Sequence, residues 1–161
     1  QRMDLLSQLL ERVFIHRRRG GGGRRCGGAG RAARLLAPGH VYVLSQPDRH
    51  GVIDRWPNGA IRLVARDPVN GCRPSADLLF STVARVGGAQ SVGVILSGTG
   101  EDGVTGLAAI RKAGGLALCQ NIDGAMFSET VEAAMSRGAA ERQLPLPDLA
   151  RAILARCEAH D

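Results

Sequence analysis

Two hydrophobic periods alternate along the second half of the chain. Residues 91–97 and 116–120 are nearly unbroken apolar runs, short enough for strands buried on both faces of a parallel sheet. Between and after them, apolar residues recur every three or four positions over 103–113, 126–136 and 146–157, which predicts helices. A helix is also expected from Arg73 onward, because Pro74 and Ser75 suit its first turn and Leu78, Leu79, Val83 and Val86 share one face. The helix over 103–113 closes on Arg111-Lys112 and then Gly114-Gly115, as the dipole and the carboxyl-terminal cap prefer. Earlier, residues 40–45, 52–56 and 60–64 read as short strands, the last two joined by Pro57-Asn58-Gly59, a turn in which Asn-Gly tolerates positive φ. Strands alternating with helices from residue 75 define an α/β fold with a doubly wound, mostly parallel, Rossmann-like sheet.

The first 39 residues differ in kind. Residues 3–14 carry Leu5, Leu6, Leu9, Leu10 and Val13 at helical spacing. A run of arginine and glycine follows, with eight glycines between Gly20 and Gly39 and almost nothing apolar to offset the entropy of ordering it. That composition predicts disorder. The domain division expected is a helix plus this Arg/Gly-rich segment over 1–37, and a folded domain over 38–161.

Charge follows the same division. The formal net charge is +6, yet residues 1–39 hold nine arginines against Asp4 and Glu11, a balance of +7, which leaves −1 for the remainder. Basicity therefore belongs to one segment. None of the five aromatic residues interleaves that segment to stack bases, so nucleic-acid binding is not expected. No apolar run reaches the length of a membrane span, so no membrane insertion is expected either. Cys26, Cys72, Cys119 and Cys157 are widely spaced with no C-x-x-C pair, which argues for reduced thiols, no metal site and a cytoplasmic setting.

The chemistry-bearing stretch is Gly93-Val-Ile-Leu-Ser-Gly-Thr-Gly-Glu-Asp-Gly-Val-Thr-Gly-Leu. A buried strand there delivers a glycine-rich turn that opens a helix, and Asp102 stands at the strand's carboxyl end, where open α/β sheets place ligands and catalytic groups. Three readings apply. Asp102 could simply cap the helix beginning at Gly103. Gly98, Gly100 and Gly103 also fit G-x-G-x-x-G, with Asp123 near the ribose-binding spacing, but Glu101 and Asp102 would oppose a pyrophosphate, so no cofactor is expected.

The third reading is a family resemblance. Leu96-Ser-Gly-Thr-Gly-Glu-Asp-Gly, Gly106-Leu-Ala-Ala-Ile-Arg-Lys-Ala-Gly-Gly and Gln120 are similar to the core signature of the chemotaxis protein-glutamate methylesterase (CheB-type) family. Pro38-Gly-His, Pro47-Asp-Arg-His, Pro68-Val-Asn-Gly-Cys-Arg-Pro-Ser-Ala-Asp-Leu-Leu-Phe, Gly138-Ala-Ala and Leu144-Pro-Leu resemble other family segments in the same order. The resemblance implies an enzyme that hydrolyses glutamate γ-methyl esters on chemoreceptor helices and releases methanol, through a Ser–His–Asp triad in which Asp102 is the aspartate. It implies methylated chemoreceptor helices as partners, and a receiver domain or methyltransferase module in the complete protein.

Two triad members have no counterpart. The family's serine lies in a G-x-S-x-G-G loop that this sequence lacks, and its histidine stands in Gln-His-Met, where Gln1-Arg2-Met3 puts an arginine that cannot act as a base. His40 and His50 fall in other family segments and are expected to be structural or surface residues, while His16 and His160 have no expected role. The fold expected is thus one without its N-terminal strand and helix, inactive alone for want of the nucleophile; the alternative is a non-catalytic receptor-docking or regulatory module.

Overall fold

A computed structural model describes residues 13–16, 33–36, 40–44, 46–54 and 59–158. Among the described residues eight strands run in chain order: β1 (Val13–His16), β2 (Ala33–Leu35), β3 (His40–Val43), β4 (His50–Asp54), β5 (Ala60–Val64), β6 (Val92–Ile95), β7 (Leu116–Gln120) and β8 (Arg142–Leu144). The helices are α1 (Ala76–Gly87), α2 (Val104–Lys112), α3 (Glu129–Ser136) and α4 (Leu146–Glu158).

The expected parallel sheet is β6-β7-β8, with every pairing parallel and with α2 and α3 as the crossovers. Its centre is β7, where Ala117, Leu118 and Cys119 are all fully buried. The buried thiol of Cys119 is pushed up to about 11 by desolvation, which makes it an inert apolar side chain at neutral pH. β6 was expected to be buried on both faces; Gly93 and Ile95 are, whereas Val92 and Val94 remain half-buried. On the covered face a Cβ at Gly93 would come within 2.7 Å of both Leu107 Cδ1 and Ile110 Cδ1, so glycine lets α2 lie directly on the strand.

The strands before α1 pair antiparallel. β4 and β5 form the expected hairpin, joined to β2 in the order β2-β5-β4, and β1 pairs with β3. The turn itself, residues 55–58, lies outside the described residues, as does the Arg/Gly-rich run apart from the strands named. The expected helix over 3–14 is likewise outside them up to residue 12, but Val13 and Phe14 belong to β1 rather than to a helix. Val-Phe-Ile is a β-branched and aromatic run, and pairing along β3 overrides the helical spacing of Val13.

Two clusters make the core. One holds Tyr42, Leu44, Ile53 and Ile61 against Leu79 and Val83 of α1; the other holds Ile95, Ala117 and Cys119 against Val104, Leu107, Val131 and Ala134. Ile110 of α2 belongs to the first, so α2 bridges the antiparallel and parallel parts. One polar contact ties β4 to α1: the buried Thr82 hydroxyl donates to Leu79 O at 2.8 Å and accepts from Ile53 N at 3.0 Å. Thr82→Val keeps the shape and orphans that amide, and is expected to cost about 1–3 kcal/mol in urea unfolding. A change under about 0.3 kcal/mol would mean the contact carries no net stability.

Candidate functional site

The loop between β6 and α2, residues 96–103, is fixed from four sides. Gln120, at the end of β7, accepts Ser97 N on its Oε1 at 3.0 Å. Glu129 Oε2 accepts Gly100 N at 3.3 Å, and Thr130 N donates to Gly98 O at 3.4 Å, so the start of α3 grips the middle of the loop. Arg137 Nη2 meets Glu101 Oε2 at 2.6 Å, an exposed pair. Gly100 (φ 79°) and Gly103 (φ 99°) take left-handed conformations that a β-carbon would strain, which explains glycine at both.

At the end of this loop Asp102 is half-buried and turns away from its own helix. Its Oδ1 accepts from Ser75 Oγ at 2.8 Å and from Asp77 N at 3.1 Å, and its Oδ2 accepts from Ala76 N at 2.7 Å. All three donors lie at the start of α1. Of the three readings of Asp102, the one in which it caps the helix after it is therefore corrected. Gly103, the capping position of α2, has no side chain with which to cap it; Val104 N donates to Glu101 O, and the next amides are met from α1. Asp77 Oδ1 accepts from Gly106 N at 2.7 Å, and the amides of Gly103 and Thr105 also face that carboxylate.

The two helices thus exchange caps. Asp102, beside the start of α2, neutralises orphan amides of α1, and Asp77, on α1, does the same for α2. Close approach makes this possible. A Cβ at Gly106 would stand 2.6 Å from Phe80 Cβ and 2.8 Å from Asp77 O, so only glycine permits the crossing.

The exchange sets two carboxylates near each other. Burial pushes the Asp77 carboxyl above its ordinary range, opposed by the Gly106 amide and reinforced by the negative charge of Asp102. A raised folded value means that the native state binds the proton more tightly than the unfolded chain does. Asp77 therefore costs no stability below the unfolded value of about 3.9, and its cost grows as pH rises through the folded value. Compared with Asp77→Asn, the wild type is expected to lose ground in urea unfolding as pH rises from about 4, then to run parallel. A wild type that gains on the variant with rising pH would contradict this.

The dinucleotide reading fails on the same geometry. The α2 amides that a pyrophosphate would need already face Asp77, and Asp123 is an exposed residue whose amide donates to Asn121 Oδ1 in a local turn. Among the described residues no group of three or more His, Cys, Asp and Glu could hold a metal ion, and no helix is long and apolar enough to cross a membrane.

His50, expected to be structural or at the surface, is fully buried at the start of β4. Its Nδ1 accepts from Ser75 N at 3.1 Å and its Nε2 lies 3.0 Å from Asp67 O. The side chains of His16, His40 and His160 lie outside the described residues, as does Arg2. Sequence reasoning noted Ser75 only as a helix start and gave no role to Asp77, whose signal was its place two residues after the Pro-Ser that opens α1.

An α/β domain with an aspartate held beyond the carboxyl end of a parallel strand places that carboxylate where open α/β sheets carry ligands and catalytic groups. The comparisons agree in class. A family model described as CheB methylesterase matches residues 29–153, and this chain belongs to that family. The protein-glutamate methylesterase/protein-glutamine glutaminase 1 of Caulobacter vibrioides is 43% identical over 120 residues, 74% of this chain and 35% of that protein. The second such protein of Bordetella avium is 34% identical over 157 residues, 97% of this chain and 40% of that protein. The chain thus spans well under half the length of these relatives. The CheB methylesterase catalytic domain of Thermotoga maritima matches with a TM-score of 0.69 at 20% identity, covering 80% of this chain and 67% of that one, which shows the shared fold.

Proposed function

We propose that this chain supplies the orienting acid, Asp102, to a protein-glutamate methylesterase site, and that residues 38–161 are the carboxyl-terminal part of that domain. The observation that carries the reading is the state of the Asp102 carboxylate. A carboxylate has about four acceptor positions, and three are filled by donors from α1, two of them on Oδ1. The position left is on Oδ2 of this half-buried carboxylate, and it is the one assigned to the imidazole N–H.

In the proposed reaction a serine hydroxyl attacks the ester carbonyl of a methylated glutamate side chain, and a histidine takes the serine proton. The same histidine returns that proton to the methoxide as methanol leaves, and water then hydrolyses the acyl-enzyme by the reverse roles. Asp102 holds the imidazole in the tautomer whose free nitrogen faces the serine, and stabilises the imidazolium that forms. The relatives' names also include protein-glutamine glutaminase, and side-chain amide hydrolysis uses the same acyl chemistry. The substrates are methylated chemoreceptor helices in the cytoplasm, and a receiver domain or methyltransferase module is the partner expected in the complete protein.

This sequence contains neither the family's serine loop nor its histidine, so the chain alone is expected to release no methanol from methylated receptors. That absence also favours a second reading, a receptor-docking module without catalysis. A chimera separates the two: the amino-terminal part of a methylesterase that carries the family's G-x-S-x-G-G loop and Gln-His-Met, joined to residues 38–157 of this chain. Methanol release by the folded chimera supports the enzyme reading. A folded chimera that binds methylated receptor but stays inactive supports the docking module.

A further inference from the structure

We propose that Ser75 and His50 are positioning residues for Asp102, which lock its Oδ1 and leave Oδ2 as the oxygen that receives an imidazole; this rests on the role proposed for Asp102 above. Directional hydrogen bonds carry the argument. The Ser75 hydroxyl accepts Leu78 N at 3.3 Å, so its own proton is free to point to Asp102 Oδ1, 2.8 Å away. An ordinary helix cap would need only the first of these bonds. The second spends the hydroxyl proton on a carboxylate from another element, giving a charge-assisted bond.

Ser75 is in turn held by His50. The Ser75 amide is a donor, so His50 Nδ1 must be the unprotonated nitrogen, and Nε2–H then donates to Asp67 O. The ring is fully buried and bonded at both nitrogens, which holds it in one tautomer and one orientation. The relay therefore runs from Asp67 O through His50 and Ser75 to Asp102 Oδ1. With Asp77 N also on Oδ1, that oxygen is filled, and the carboxylate cannot rotate without breaking three bonds. A histidine presented to the site is thereby steered to Oδ2 alone.

The test is nuclear magnetic resonance on the chain itself, which needs no ester hydrolysis. Long-range proton–nitrogen spectra are expected to show His50 as the Nε2–H tautomer at pH 7. Ser75→Ala is expected to move the Asp102 carboxyl carbon resonance and to speed exchange of the Asp77 amide about tenfold, while the Leu118 amide in β7 keeps its wild-type rate. Ser75→Thr, which keeps the hydroxyl, should restore both signals. His50→Asn places an acceptor where Nδ1 was and should stay close to wild type, whereas His50→Phe should behave as Ser75→Ala. Because Ser75→Ala leaves the histidine in place, it decides the matter if His50→Phe does not fold. An Nδ1–H tautomer or an imidazolium at His50 would overturn the proposal, as would an unmoved Asp102 resonance in Ser75→Ala. An inactive chimera with this network intact would instead count against the enzymatic reading alone.

Discussion

Asp102→Ala is expected to destabilise the chain by about 2–4 kcal/mol, although the residue sits in a loop. The substitution removes an acceptor from two orphan amides at the start of α1 and from the Ser75 hydroxyl. It also leaves Asp77 without the like charge that helps raise its carboxyl, which returns part of the loss wherever Asp77 is ionised. Asp102→Asn keeps the volume but sets an amide NH2 against one of the α1 donors, and should cost about half as much. Urea unfolding of the three proteins at pH 7 checks the order. A loss below about 0.5 kcal/mol for Asp102→Ala would show that the exchanged cap is decorative.

Gly106→Val is expected to be at least as severe, about 3 kcal/mol or more. A Cβ alone would stand 2.8 Å from Asp77 O and 3.0 Å from Asp77 Cα, both backbone atoms that no rotamer change can clear. Two further methyl groups enlarge the clash, so α1 and α2 must separate. Separation breaks the 2.7 Å bond from Gly106 N to Asp77 and loosens the three bonds to Asp102 together. The effect of Gly106→Val combined with Asp102→Ala should therefore fall short of the sum of the singles by more than about 0.5 kcal/mol. Additivity within about 0.3 kcal/mol would mean that the helix crossing and the capping exchange are independent.

Much of this architecture was legible in the chain. The apolar run over 116–120 matches β7, and the Pro-Ser helix start falls where Ser75 caps α1. Both signals are local, one a burial pattern and the other the conformational preference of a helix start. Asp102 was singled out by its place after a buried strand and by the family resemblance, but its hydrogen-bond partners were not legible. Local capping rules send a side chain to the helix that follows it in sequence, whereas Asp102 and Asp77 each serve the helix of the other. That exchange depends on a crossing enabled by Gly106, about 30 positions from the residues it serves, and no short window contains both halves. The strand at Val13–His16 escaped for a similar reason, since its partner β3 lies beyond the Arg/Gly-rich run.

The central claim is that Asp102 orients a catalytic imidazole, and methanol release by the chimera with and without that carboxylate tests it most directly. The account predicts hydrolysis of methylated receptor glutamates by the chimera and a fall of about 10⁴-fold in kcat for its Asp102→Asn form, with the fold retained by circular dichroism. A folded Asp102→Asn chimera that keeps activity within about tenfold of its parent would contradict it.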